Sequence, residues 1–166
     1  VVEVQVTDNR IICNAMEPRV CYAEVTDGRL HVALNGQRVW ATKSDLVKHF
    51  KLEAEEVRVT TPDVGGGFGM KAMRYPEPFV VAHAARALSR PVRWMSERTE
   101  GMLTDNAGRD LVTQATLAFD ADHRLTGYKL DTLANMGAYN SQFGQGIQTD
   151  LFSKVLTGTY AVKNAY

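Results

Sequence analysis

The sequence is poor in the features that would place it in a specialised class. It has only two cysteines, Cys13 and Cys21, and neither has a second Cys or His at close spacing. That excludes the common zinc and redox motifs and any cysteine set able to hold an iron–sulfur cluster. Two reduced, buried thiols are expected instead, which is the usual state of free cysteine. Neither sign of charge is in surplus: 19 basic and 19 acidic residues cancel, without a run of like charges, so nucleic acid is a poor partner. The longest apolar-rich stretch, Phe79 to Leu88, contains His83 and Arg86 and falls well short of the ~20 residues a bilayer span requires. No basic start followed by an apolar run and a small-residue cleavage site is present, and a cytoplasmic setting is expected. The opening Val1-Val2-Glu3-Val4-Gln5-Val6 already alternates as a strand interior does, so the sequence reads as a piece of a longer chain.

With 45% hydrophobic and 23% charged residues, the composition is that of an ordinary globular domain. A chain of this length buries roughly 70% of the surface its unfolded form exposes, enough for a core without staples. Alternation predicts strands over Val2–Thr7, Val20–Thr26 and Leu30–Leu34, the last two joined by Asp27-Gly28, a pair suited to a tight hairpin. Thr42-Lys-Ser-Asp45 resembles a capping box and predicts a short amphipathic helix over Ser44–Lys51. Val57–Thr61 alternates again and leads into a glycine-rich loop. Pro76 and Pro78 fit the first turn of a buried helix that runs through Leu88, and Pro91–Met95 returns to extended chain. Asp110–Phe119 and Leu125–Leu133, separated by Asp120-Ala-Asp-His-Arg, predict a long antiparallel hairpin, and a last helix is expected over Thr149–Leu156. The order favours an α+β domain with mixed or antiparallel strands and a few packed helices over a regular βαβ alternation, with residues 1–166 forming one fragment.

The most informative segment is Gly65-Gly-Gly-Phe-Gly-Met-Lys71. Glycines this dense between a strand and a helix free backbone N–H groups to face a ligand, as in anion-binding nests, and Lys71 could add charge. A Walker loop from Gly65 fails because Ala72 stands where Ser or Thr is needed. A kinase loop lacks its His-Arg-Asp and Asp-Phe-Gly companions. A dinucleotide fingerprint in its Gly-x-Gly-x-x-Ala form does occur at Gly67, Gly69 and Ala72, which leaves a nicotinamide-dependent dehydrogenase open, although Pro76 and Pro78 delay the helix that fold needs. Among charged side chains, Glu17 with Arg19, and Arg98 with Glu97 or Glu100, could pair locally. His31, His49, His83 and His123 lack ligand spacing and none looks like a base.

The same heptapeptide resembles the Gly-Gly-Gly-Phe-Gly-x-Lys signature of the molybdenum hydroxylase large subunits: xanthine dehydrogenase, aldehyde oxidase and aerobic carbon monoxide dehydrogenase. Met16-Glu-Pro-Arg19, Pro91-Val-Arg93, Glu97-Arg98-x-Glu100, Gly137-Ala-Tyr139 and Gly158-x-Tyr160 accompany it in matching order. Met70 and Tyr75-Pro76-Glu77 are similar to the carbon monoxide dehydrogenase-like branch. The resemblance implies a fragment of a molybdopterin-binding domain that contributes one wall of a cofactor site and is inactive alone. The cofactor would be a molybdenum–pterin, in bacterial members often the cytosine dinucleotide form, with iron–sulfur clusters and FAD on partner domains or subunits.

By the same resemblance Gln37 would hydrogen-bond an oxo ligand of the metal, and Phe68 with Gly69 would pass beside the pterin, with Gly66 and Gly67 completing the cofactor-binding loop. No residue of the chain is expected to ligate the metal directly. The catalytic base is expected in a Gly-x-Gly-Glu motif beyond residue 166. Ala72 replaces the Glu that orients purines, so a small molecule other than a purine is expected: carbon monoxide, an aldehyde or a heterocycle oxidised with water as oxygen source. Gln37 departs in context, because Leu34-Asn35-Gly36 precedes it rather than the more usual Ser-Thr. Arg109 aligns with a commonly basic position and is expected to form a structural ion pair. A non-catalytic ligand-binding module on the same scaffold is the remaining alternative.

Overall fold

The computed structural model describes residues 1–166, which form two compact units, Ile12–Asn106 and Val1–Ile11 with Ala107–Tyr166. In chain order the main elements are β1 (Val2–Asp8), β2 (Val20–Thr26), β3 (Arg29–Leu34), α1 (Val39–Phe50), β4 (Val57–Thr60), α2 (Glu77–Leu88), β5 (Val92–Met95), α3 (Arg98–Thr104), β6 (Leu111–Phe119) and β7 (Leu125–Ala134). No helix is long and apolar enough to cross a membrane.

The Ile12–Asn106 unit is built on a four-stranded sheet in the order β4-β3-β2-β5. β2 pairs antiparallel with both β3 and β5, whereas β3 and β4 run parallel and are joined through α1. Asp27 and Gly28 both take positive φ, 51° and 74°, as the expected two-residue turn requires. One face of the sheet presents Cys21, Ala23, Leu30, Val32 and Val57 to Leu46 of α1 and to Val81, Ala82 and Ala85 of α2. Alternation along β2 and β3 selects these residues, and the alanines let α2 lie close against the sheet. Burying a side chain such as Leu46 contributes about 1.5–3 kcal/mol. The mixed sheet with helices packed on it is the α+β class expected.

Two helices of this unit differ from expectation. α1 begins at Val39 rather than Ser44: the Thr42 N–H bonds the Arg38 carbonyl at 2.9 Å, so Thr42 lies inside the helix and its capping box does not form. The apolar stripe of Leu46, Val47 and Phe50 continues back to Val39, and Asp45 pairs with Arg74 instead, at 2.7 and 2.9 Å. α3 was not anticipated. Glu97 is its N-cap, and the reciprocal hydrogen bonds of Glu97 and Glu100 with each other's backbone form a capping box, so neither carboxylate pairs with Arg98.

In the other unit β6 and β7 form the expected hairpin, from Leu111↔Ala134 to Phe119↔Leu125. Its turn is closed by Asp120, whose Oδ1 accepts the N–H groups of Asp122 and Arg124 at 2.9 Å. β1 adds antiparallel to β6, and Asn164–Ala165 adds parallel to β7. The last helical segment starts at Gly144 and ends at Lys154, with a π-turn over Ile147–Leu151, rather than spanning Thr149–Leu156. Glycine at its start does not prevent the earlier onset, because Ser141 Oγ accepts the Gly144 N–H at 3.0 Å and satisfies an otherwise free donor.

Candidate cofactor site

The glycine loop follows β4 and ends in a single 3-10 turn, Met70–Ala72. Each of its first three glycines is in close contact with a different neighbour. A Cβ on Gly65 would sit 2.5 Å from Glu17 Cβ, one on Gly66 2.8 Å from the Phe68 ring and 3.3 Å from Ala15 Cβ, and one on Gly67 2.6 Å from Gln37 Cδ. Gly69 differs: its φ is +80° and a Cβ there would meet nothing within 4 Å. Phe68 is also left-handed, at φ 52°, and 73% exposed. The part of the loop open to a ligand is therefore Phe68–Gly69, and the N–H groups of Gly66, Gly67 and Phe68 donate to no group of the chain.

Gln37 lies against this loop. Its backbone N–H bonds the Lys71 carbonyl at 3.3 Å, and its side-chain Oε1 accepts the Gly69 N–H at 3.0 Å. Because a backbone N–H only donates, the oxygen end of the carboxamide must face Gly69. The orientation is set by chemistry, and the side-chain NH2 is left for a ligand. The structure thus brings together Gln37, Gly66, Gly67, Phe68 and Gly69.

Lys71 is neither an anion ligand nor a solvated side chain. Its side chain is 1% exposed and its ammonium bonds Glu17 Oε2 at 3.0 Å. The same oxygen accepts the Gly65 N–H at 2.8 Å, while Glu17 N–H donates to Gly65 O at 3.1 Å. Burial acts to raise the Glu17 pKa, but hydrogen bonds from Gly65, Asn35 and Lys71 and the Lys71 charge outweigh it, so the carboxyl is held below its ordinary value.

Arg19 does not pair with Glu17. Buried between the rings of Tyr75 and Trp94, it forms a two-pronged bond to Glu77 (2.7 and 3.1 Å) and a third bond to Asp105 (2.6 Å). This ties the start of α2 to the residue that ends α3. Arg98 donates to Asn14 Oδ1 and to the carbonyls of Ala15 and Met16 at 2.6–2.8 Å, fixing the segment beneath the loop. Both Met-Glu-Pro-Arg and Glu-Arg-x-Glu are therefore scaffolding for the glycine loop.

Of the thiols, Cys21 is buried, with its pKa pushed up to about 12, chiefly by desolvation. Cys13 is half-buried, 3.8 Å from the Phe68 carbonyl oxygen. Arg109 lies 3.9 Å from Asp8, a distant ion pair. His31 bonds Glu24 and Thr60, and His49 and His83 contact phenylalanine rings.

The dinucleotide fingerprint lacks its structural context: Gly67, Gly69 and Ala72 lead into a three-residue 3-10 turn, and the next helix begins only at Glu77. No helix N-terminus is available to hold a pyrophosphate at the loop. The small apolar-lined cleft bounded by Gly36, Arg38, Asp45, Lys71, Arg74 and Tyr75 does not include Phe68 or Gly69. What remains is a stretch of backbone N–H groups without a partner in the chain, beside one oriented carboxamide.

These features define a loop built for close backbone contact with a neighbouring group. The comparisons with known proteins agree: the model of the molybdopterin cofactor-binding domain matches residues 1–166, and the chain belongs to that family. It is 32% identical over 148 residues, 89% of its length, to the 6-hydroxypseudooxynicotine dehydrogenase complex subunit gamma of Paenarthrobacter nicotinovorans, and covers 18% of that protein. It is 35% identical over 86 residues, 52% of its length, to the carbon monoxide dehydrogenase large chain of Hydrogenophaga pseudoflava, and covers 11% of it. Among solved structures, quinoline 2-oxidoreductase from Pseudomonas putida 86 superimposes with a TM-score of 0.92 at 30% identity, over 99% of this chain and 21% of that one. The chain thus spans about a fifth or less of the proteins it matches.

Proposed function

We propose that this chain forms one wall of a molybdenum–pterin site in a larger oxidoreductase subunit. The observation that carries the reading is the locked Gln37 carboxamide, whose oxygen is held by Gly69 N–H and whose NH2 is presented beside the unbonded N–H groups of Gly66, Gly67 and Phe68. In this reading Gln37 donates to an acceptor on the cofactor, and the loop backbone contacts the pterin. The cofactor supplies the two-electron oxidation, with water as the oxygen source; the chain binds and orients it. The bacterial cytosine dinucleotide form is the one proposed.

The base lies outside residues 1–166 in this proposal. Glu17, the one carboxylate bonded to the loop, is engaged by Lys71 and Gly65 and is held ionised by them. The substrate is a small molecule, namely carbon monoxide, an aldehyde or a heterocycle. The names of the relatives span such chemistry: one is a 6-hydroxypseudooxynicotine dehydrogenase, one a carbon monoxide dehydrogenase, one a quinoline oxidoreductase. Purines are disfavoured by Ala72. The remainder of the subunit completes the site, electrons leave through iron–sulfur and FAD partners, and the assembly is cytoplasmic.

Elemental molybdenum analysis with pterin fluorescence, on the full-length protein purified from its native source, tests the proposal. Near-stoichiometric metal and pterin are expected. A fully folded preparation that contains neither would leave a ligand-binding scaffold without redox chemistry.

A further inference from the structure

We propose that the Lys71–Glu17 ion pair is a positioning device that sets the glycine loop and Gln37 in the geometry that receives the cofactor, an inference that rests on the function proposed above. Lys71 contacts the site through three separate groups. Its carbonyl accepts the Gln37 backbone N–H, its own N–H donates to Gly67 O, and its ammonium holds Glu17. Glu17 in turn brackets Gly65 with one accepted and one donated hydrogen bond. The first and last residues of the Gly65–Lys71 segment are thereby bonded to one carboxylate oxygen, and the approach is so close that only glycine fits at 65. Arg98 fixes the carbonyls of Ala15 and Met16, so Glu17 itself is delivered from a held segment.

The pair does not belong to the hydrophobic core, which lies between the sheet and the two helices α1 and α2. A buried ion pair adds little net stability relative to apolar groups of the same size, because desolvation cancels much of the attraction. What it does supply is register between segments distant in sequence. Removing one partner leaves the other charge unpaired and lowers stability, but the bonds lost join the loop and not the sheet, so the loop is released more than β2 and β3. Neither residue touches the cofactor in this account; both act through Gly65, Gly67 and Gln37.

The test uses the full-length protein in its native assembly, with Glu17→Gln and Lys71→Met variants. Hydrogen–deuterium exchange is followed on peptides covering Gly65–Gly69 and on peptides of β2 and β3, and molybdenum per subunit is counted. We expect the amides of Gly65 and Gly69, the two in this stretch that are hydrogen-bonded within the chain, to exchange about tenfold faster, the change that follows loss of a charge-assisted hydrogen bond, while β2 and β3 keep their protection and bound molybdenum falls. Glu17→Gln keeps the shape of the side chain and an acceptor for Gly65, so it decides the question if Lys71→Met does not fold. Unchanged loop exchange overturns the proposal, as does equal acceleration of loop and core, which marks a purely structural pair. If the unsubstituted protein carries no molybdenum, the functional reading fails, whereas the comparison of loop with core exchange still decides the role of the pair.

Discussion

Replacing Gly67 by alanine should remove the cofactor while leaving the fold nearly intact. The added Cβ would lie 2.6 Å from Gln37 Cδ, 2.7 Å from its Oε1 and 2.8 Å from its Cγ. Gly67 does not have positive φ, so alanine suits the backbone and the whole cost falls on this contact. The atoms it meets belong to an exposed, flexible side chain, so relief comes from swinging Gln37 away. That forfeits the Gly69–Gln37 hydrogen bond, about 0.5–1.5 kcal/mol, and adds at most about 0.5–1.5 kcal/mol of rotamer strain. A loss of ~1–3 kcal/mol leaves most domains folded, since their margin is about 5–15 kcal/mol. Gly28→Ala is the matched control: its φ is +74° with nothing within 4 Å, so it carries a backbone penalty of ~1 kcal/mol far from the loop. Thermal melting and molybdenum content of the full-length variants are the assay. Gly67→Ala should lose most of its molybdenum at a modest fall in melting temperature, and Gly28→Ala should keep it. Full molybdenum in Gly67→Ala, or equal loss in both, would refute the reasoning.

Arg19→Met should cost about 3–5 kcal/mol in denaturant unfolding, because it strands the carboxylates of Glu77 and Asp105 without their cation; a cost below 1 kcal/mol would contradict that account of the Met-Glu-Pro-Arg segment. Cys21, with its thiol pKa near 12, should resist alkylation at pH 8 in the folded protein, and peptide mapping that finds it modified as fast as an unfolded thiol would count against its burial. The Glu17 carboxyl has a lowered folded pKa, so its stabilisation is present above the unfolded value of about 4.3 and lost as pH falls through the folded one. The melting temperatures of the unsubstituted protein and Glu17→Gln should therefore differ by a constant amount from pH 8 to about pH 5 and draw together progressively as the pH falls from there through the lowered folded value. A gap that persists in acid would show that the charge of Glu17 is not what matters.

What could be read from the sequence was what local chemistry decides. Asp27-Gly28 fixed a turn, alternation fixed the β6–β7 hairpin, and the glycine density marked a loop meant for close approach. Gln37 and Phe68–Gly69 were named through resemblance to a family, and the structure places them in contact. Partnerships were not legible, because they join segments far apart in the chain. Glu17 and Arg19 were paired for their proximity, yet Glu17 reaches Gly65 and Lys71 while Arg19 reaches Glu77 and Asp105. Lys71 looks solvated in sequence because nothing local announces Glu17, 54 positions away, as its partner. The α3 capping box is written in the sequence as Glu97 and Glu100 three positions apart, but Arg98 beside them offers an equally local ion pair that the fold does not use. At α1 the apolar stripe reaching back to Val39, not the cap-like Thr42, sets where the helix starts.

The most direct test of the central claim is a high-resolution crystal structure of the full-length protein isolated with its cofactor. The account predicts that Gln37 keeps its oxygen on Gly69 N–H and places its side-chain nitrogen about 2.7–3.2 Å from an acceptor on the cofactor, with the pterin beside Phe68 and Gly69. A cofactor bound away from this loop, or a Gln37 carboxamide turned from Gly69 with no contact to it, would contradict the account.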